Sequence, residues 1–169
     1  MVSPVQSETV EGSVWDALAR VMDPEIPAVS VVDMGMIESV QVDGARARIV
    51  VLPTFTGCPA VPMIREDVAA AVEGVAAIEE AVVEFSYDPP WTTDRITFQG
   101  RRRLKEFGLA PPTGEGPVLI TSIGLPERAT CPFCGSRDTR AENAFGPTPC
   151  RAVYYCNSCS NPFEQFKPV

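Results

Sequence analysis

Cysteine spacing carries the clearest chemistry in this sequence. Cys131-Pro132-Phe133-Cys134-Gly135 is followed, after a spacer, by Cys156-Asn157-Ser158-Cys159. Two C-x2-C pairs placed this way describe a tetrahedral four-thiolate metal site, each pair forming a tight turn that aims two sulfurs at one ion. Gly135 suits such a turn, because the backbone after the second ligand often needs a positive φ. Zinc ribbons and rubredoxin-type iron sites share the layout. Structural sites of this spacing are most often zinc, so zinc is the reading adopted. Paired disulfides are the competing explanation, and nothing marks the chain as secreted. Cys150, in Thr148-Pro149-Cys150-Arg151, either substitutes for a ligand or is a buried thiol, the commoner role of a free cysteine.

Cys58 is the sixth cysteine and stands apart, in Thr54-Phe55-Thr56-Gly57-Cys58-Pro59. It directly precedes an expected helix, with Pro59 at a position favoured in a helix start. A thiol there would feel the positive end of the helix and favour its thiolate, the form that binds metal or attacks disulfides. Thr54 and Thr56 could supply hydroxyl donors. Asp23, Glu25 and Asp33 fall in loops that this strand order brings toward the same sheet edge. The competing reading is a packed core cysteine.

The elements that must position these groups follow from periodicity. Val10, Val14, Ala17, Leu18 and Val21 recur at helical steps and predict a helix over 9–22, ended by Asp23-Pro24. Strands are expected at 37–43 and 46–52, joined by the hairpin signal Asp43-Gly44. A helix at 60–74 buries Ile64, Val68, Ala71, Val72 and Val75, and a strand at 78–86 follows. The third strand should return parallel to one of the first two. The fold class is therefore α/β: a small α-β-β-α-β sandwich with a C-terminal zinc-ribbon module. Pro89-Pro90-Trp91 closes the first domain, with Trp91 as a core anchor. A short helix at 97–107 has Leu104 and Phe107 as its apolar side, and Ala110 to Gly116 reads as linker. A short strand at 118–123, strands at 139–144 and 151–155, and an edge at Pro162 to Phe166 complete the ribbon. The expected domains are 1–97, a helix and linker over 98–125, and the ribbon over 126–169.

Charge is divided unevenly along the 169 residues. Residues 1–94 carry 16 acidic and 4 basic side chains, a net −12, while residues 95–169 carry 6 acidic and 10 basic ones, a net +4. An acidic first module opposes nucleic-acid binding there. Arg101-Arg102-Arg103 with Lys105 invites a nucleic-acid reading, but so few charges read better as a solvated or protein-docking face. The chain has no histidine, which removes histidine ligands, histidine general bases and the usual Ser-His or Cys-His pairs. No stretch reaches the ~20 apolar residues of a membrane span. The first residues lack the pattern of a signal peptide. Reduced, metal-spaced cysteines point to the cytoplasm.

Several stretches then coincide. Asp23-Pro24-Glu25-Ile26-Pro27, Val32-Asp33-Met34-Gly35-Met36-Ile37 and Thr54 to Pro59 resemble the iron–sulfur assembly domain of SufT-like proteins. Pro89 to Asp94, the Gly100 to Pro112 stretch, and the cysteine-rich tail through Pro162-Phe163 resemble the D-type (or J-type) component family of phenylacetate-CoA oxygenase, the PaaD-like proteins. The match covers nearly the whole chain. This resemblance implies an accessory component, not catalytic by itself, in aerobic phenylacetate degradation. It would assist iron or iron–sulfur assembly or delivery to a ring-epoxidising oxygenase and its reductase. Cys58 would be the transfer thiolate for transient iron or a [2Fe–2S] cluster, with Asp23, Glu25, Thr54 and Thr56 nearby. Cys131, Cys134, Cys156 and Cys159 would hold structural zinc. Expected partners are the oxygenase and reductase components and iron–sulfur assembly proteins, with a homodimer left open, and neither nucleic acid nor membrane. The alternatives are a docking component without metal transfer and, more distantly, a zinc-ribbon nucleic-acid binder.

Overall fold

The computed structural model describes residues 9–112 and 129–167. The expected strand at 118–123 lies outside the described residues. The chain divides into two units, Met1–Pro90 and Trp91–Val169.

The first unit contains α1 (Val10–Leu18), β1 (Ile37–Asp43), β2 (Arg46–Val51), α2 (Val61–Glu73) and β3 (Glu80–Phe85). The sheet order is β1-β2-β3. β1 and β2 form the antiparallel hairpin, and β3 returns parallel to β2. This is the α-β-β-α-β arrangement that periodicity predicts. Ala47, Ile49 and Val51 of the central strand are fully buried, the alternation expected of one covered sheet face. Ile37 and Val40 are both buried although three residues apart. A register shift between Ile37 and Ser39 absorbs the odd residue, as a bulge does. Ile64, Val68 and Val72 line the inner face of α2, while Ala71 and Val75 are only half-buried. The opposite sheet surface carries the ion pairs Arg46–Glu80 at 3.2 Å and Arg48–Glu84 at 2.6 Å. The Arg48 guanidinium, hydrogen-bonded to Glu84, lowers that carboxyl's pKa.

Helix α1 is shorter than expected. Thr9 caps it by accepting from the Gly12 N–H at 3.2 Å, and it stops at Leu18, ahead of Asp23-Pro24. The reason lies downstream. The Asp23 N–H donates to Val29 O, the Val31 N–H donates to Val21 O, and Met22 bridges Ser30. Residues 21–23 must therefore be extended, so the helix leaves through i→i+3 turns at Arg20 and Val21. Val10, placed on the apolar stripe by spacing, is exposed.

The second unit contains a 3-10 turn (Thr93–Arg95), α3 (Phe98–Glu106), β4 (Leu109–Ala110), β5 (Thr139–Asn143), β6 (Arg151–Cys156) and β7 (Pro162–Phe166). The sheet order is β4-β7-β6-β5. Two expectations change here. Ala110 is a paired strand residue rather than linker, and it brings β4 parallel to β7. β7 is therefore interior, not an edge, and its Phe163, Gln165 and Phe166 are buried. Trp91 is the anchor expected of it, 5% exposed and edge-on to Phe166 with centroids 5.7 Å apart. In α3, Gly100 and Leu104 face inward while Phe107 is exposed. Arg101 is not a solvated charge. Its guanidinium donates to Thr93 O at 2.7 Å and Pro112 O at 3.1 Å, bracing the segments that flank the helix.

Candidate metal centre

Sequence spacing fixes the local turn, and the turn fixes the sulfurs. In the first knuckle, the Gly135 N–H donates to Cys131 O at 3.0 Å, and the Cys131 N–H donates to Ser136 O at 2.9 Å. The second repeats it: Ser160 N–H to Cys156 O at 2.9 Å, and Cys156 N–H to Asn161 O at 3.0 Å. The fourth residue after each leading cysteine is left-handed, Gly135 at φ 75° and Ser160 at φ 58°. The chain thus builds one turn twice, and β6, which ends at Cys156, presents the second knuckle against the first.

The result is convergence. The sulfurs of Cys131, Cys134, Cys156 and Cys159 all lie within 4.8 Å of one another. Cys131 and Cys159 sulfurs are 3.7 Å apart, and those of Cys134 and Cys156 are 3.6 Å apart. A tetrahedron of metal–sulfur bonds of about 2.3 Å has an edge of about 3.8 Å. None of the six cysteines is in a disulfide. Two of these thiols are pushed in opposite directions by their surroundings. Hydrogen bonding from the Asn161 side chain, and secondarily from neighbouring thiols, pulls Cys159 down to about 6. Cys134 is favoured as thiolate by the Ser136 backbone, yet desolvation and its three sulfur neighbours push it up to about 12. A cation among the four sulfurs would offset the mutual repulsion of their thiolate forms. The four residues therefore fit a tetrahedral metal.

Cys150 is not in this group. Its sulfur lies 3.1 Å from Thr148 Oγ1, and the residue is half-buried.

The front-half residues are placed differently. Helix α2 begins at Val61 with Ala60 as N-cap, and Pro62, not Pro59, occupies its first turn. Cys58 therefore stands two residues before the N-cap, set back from the helix terminus where its field is strongest. It is half-buried. Its N–H donates to Phe55 O at 3.2 Å, and its carbonyl accepts from the Val61 N–H at 3.4 Å. Gly57 precedes it at φ 86°, a conformation glycine adopts freely. Thr54 is half-buried and Thr56 exposed. Asp23 is buried, and its Oδ1 accepts from the N–H groups of Glu25 at 2.8 Å and Ile26 at 3.0 Å. That carboxylate holds its own loop. Asp33 donates its N–H to Ser30 Oγ at 3.1 Å. Among the described residues, the tail cysteines alone form a group of three or more side chains placed for one ion. Spacing did not reveal the polar contacts that join the two knuckles, because their partners are up to 22 residues apart.

Known proteins align with both halves. Residues 116–167 match a family described as the PaaD zinc beta ribbon domain. Residues 11–85 match one described as iron-sulfur cluster assembly protein. An Escherichia coli (strain K12) protein, named as the D component of 1,2-phenylacetyl-CoA epoxidase, is 38% identical over 160 residues, covering 92% of each chain. A Bacillus subtilis (strain 168) protein, named Fe-S protein maturation auxiliary factor YitW, is 30% identical over 91 residues, 53% of this chain and 88% of its own. The crystal structure of a DUF59 domain of unknown function from Bacillus anthracis superposes with a TM-score of 0.53 at 29% identity, covering 56% of this chain and 91% of that one.

Proposed function

The chain belongs to the family of D-type components of phenylacetyl-CoA epoxidase, and on that premise we propose that it is an accessory component of the ring-epoxidising oxygenase system. It assists iron or iron–sulfur assembly, or delivery to the oxygenase or its reductase, and does not itself oxygenate substrate. One observation carries this reading: a single chain joins an iron-sulfur-assembly α/β unit to a ribbon whose four sulfurs converge. Relatives of the first unit are named as maturation factors. In the ribbon, Cys131, Cys134, Cys156 and Cys159 hold zinc, which when bound supplies folding energy and no redox chemistry. In the first unit, Cys58 is the transfer thiolate for iron or a [2Fe–2S] cluster as cargo. Asp23 and Glu25 would be the carboxylates, and Thr54 and Thr56 the hydroxyl donors, that serve this transfer. The partners are the oxygenase and reductase components and the cell's iron–sulfur assembly proteins, and the site of action is the cytoplasm.

The test is reconstitution. Oxygenase and reductase are produced with this chain, without it, and with Cys58→Ser, and their iron, cluster content and ring epoxidation are measured. Loss of loading and activity in the second and third cases is expected. Full loading without the chain would end the proposal. A second reading, a docking component without metal transfer, is favoured by the exposed rings of Phe98 and Phe145, 84% and 70% accessible, since exposed apolar groups often mark interfaces. It requires that Cys58→Ser support full activity.

A further inference from the structure

The two knuckles are joined by a polar seam as well as by their sulfurs. Ser136, two residues past Cys134, meets Ser158, which lies between Cys156 and Cys159, with 2.7 Å between hydroxyl oxygens. Asn157 donates from Nδ2 to Asp138 Oδ1 at 2.9 Å, and its N–H donates to the Asp138 carbonyl at 2.9 Å. The Arg140 guanidinium donates to Asn157 Oδ1. The amide therefore turns its donor to a carboxylate and its acceptor to a cation. Both side-chain contacts lie beyond the Thr139–Cys156 pair that ends the β5–β6 ladder, and they add to the one backbone bond, Asn157 N–H to Asp138 O, that continues past it.

The sulfurs are unequally covered. Cys131 and Cys156 are buried, Cys159 is half-buried and Cys134 is exposed. A competing ligand meets Cys134 first. Opening that corner requires the first knuckle to swing away from the second, and the seam opposes this motion.

We propose that Ser136–Ser158 and Asn157–Asp138 form a latch that sets how fast the ribbon releases its metal. Asn157 acts as a positioning residue, working through the knuckle backbone and not as a ligand. This rests on the four-thiolate metal reading above. None of these contacts reaches a sulfur, so the seam acts on the motion of the knuckles and not on the ligand set, and one net hydrogen bond of this kind is worth a several-fold change. An effect of that size is small against the folding of the unit but is read directly in the rate of a local opening.

The experiment uses the full chain loaded with Zn2+, and separately with Co2+. Release to an excess of a chromophoric chelator is timed, and the cobalt ligand-field spectrum and far-UV circular dichroism are recorded. Asn157→Ala and Ser136→Ala should each release metal several-fold faster, with spectrum and dichroism unchanged. Asn157→Asp, which sets two carboxylates against each other, should also be fast. Adding Asp138→Asn to it restores an amide facing a carboxylate and should return the wild-type rate. A contact that only ends the ladder would not be rescued by exchanging the two side chains. Wild-type release from both alanine variants, or no rescue by the exchange, overturns the latch while leaving the metal site standing. A chain that takes up neither ion overturns the metal reading beneath it.

Discussion

The tail sulfurs and the front-half sulfur are placed by opposite means. In the ribbon, one turn is built twice and its two copies face each other, so four side chains point inward because their backbone leaves no other course. Around Cys58 nothing is repeated. An irregular loop, a left-handed Gly57 and a helix start set the residue half-exposed, flanked by the exposed side chains of Phe55 and Met63. Convergence suits an ion held for architecture. A single half-exposed thiol suits an encounter with another molecule. The first arrangement should be intolerant of change and the second tolerant, and that contrast can be broken experimentally.

The largest effect should come from removing one ribbon sulfur. Cys156→Ala takes a buried sulfur from the group and leaves three. Structural zinc sites of this kind contribute about 10 kcal/mol or more to folding at neutral pH. The variant should lose its metal and the cooperative unfolding of the second unit, read by metal analysis and calorimetry. Retained stoichiometric metal would show that four sulfurs are not needed.

Arg101→Ala comes next. It removes two charge-assisted hydrogen bonds, to Thr93 O and Pro112 O, each of a kind that contributes about 1.5–3 kcal/mol. Since the guanidinium is partly solvated, the expected loss is about 2 kcal/mol, read as a lower denaturation midpoint with metal content unchanged. An unaffected midpoint would return Arg101 to the solvated face that its sequence context suggests.

Cys58→Ser should do less to the molecule than either. The side chain is half-buried and outside any ligand group among the described residues, so stability should move by less than about 1 kcal/mol. Zinc content should not move at all. If the variant loses zinc or unfolds, the contrast between the two regions fails, because Cys58 would then be structural.

How far these regions could be read from sequence differs for the same reason. The ribbon ligands were legible because C-x2-C is a local geometric instruction that survives whatever surrounds it. The strands of the first unit were legible because Ala47, Ile49 and Val51 alternate and Asp43-Gly44 dictates the turn. Three features were not. Helix α1 ends early because residues 21–23 pair with 29–31, a contact no helical periodicity reports. β7 is interior because Leu109 and Ala110 pair beside it, and two residues ahead of a double proline look like linker. Pro59 was the natural choice for the first turn of α2, but Pro62 takes it, since both lie near the helix start and propensity does not separate them. In each case a tertiary pairing or a shift of a few residues decided between locally equal options.

The smallest effect tests whether the two knuckles are equivalent. Gly135 and Ser160 hold the same place in the same turn, both left-handed. An L side chain in that conformation costs roughly 1 kcal/mol or slightly more, while glycine loses roughly 0.5–1 kcal/mol more chain entropy on folding. The terms nearly cancel, so Ser160→Gly should stabilise the ribbon by no more than about 0.5 kcal/mol. Gly135→Ala runs the other way and should cost about 1 kcal/mol, since nothing lies within 4 Å of the added methyl and only backbone strain, partly offset by lost chain entropy, is introduced. The pair should thus move denaturation midpoints in opposite directions by small amounts with metal bound throughout. A large loss in Ser160→Gly would mean that the serine side chain does something the first knuckle does without, and that the second turn is more than a copy.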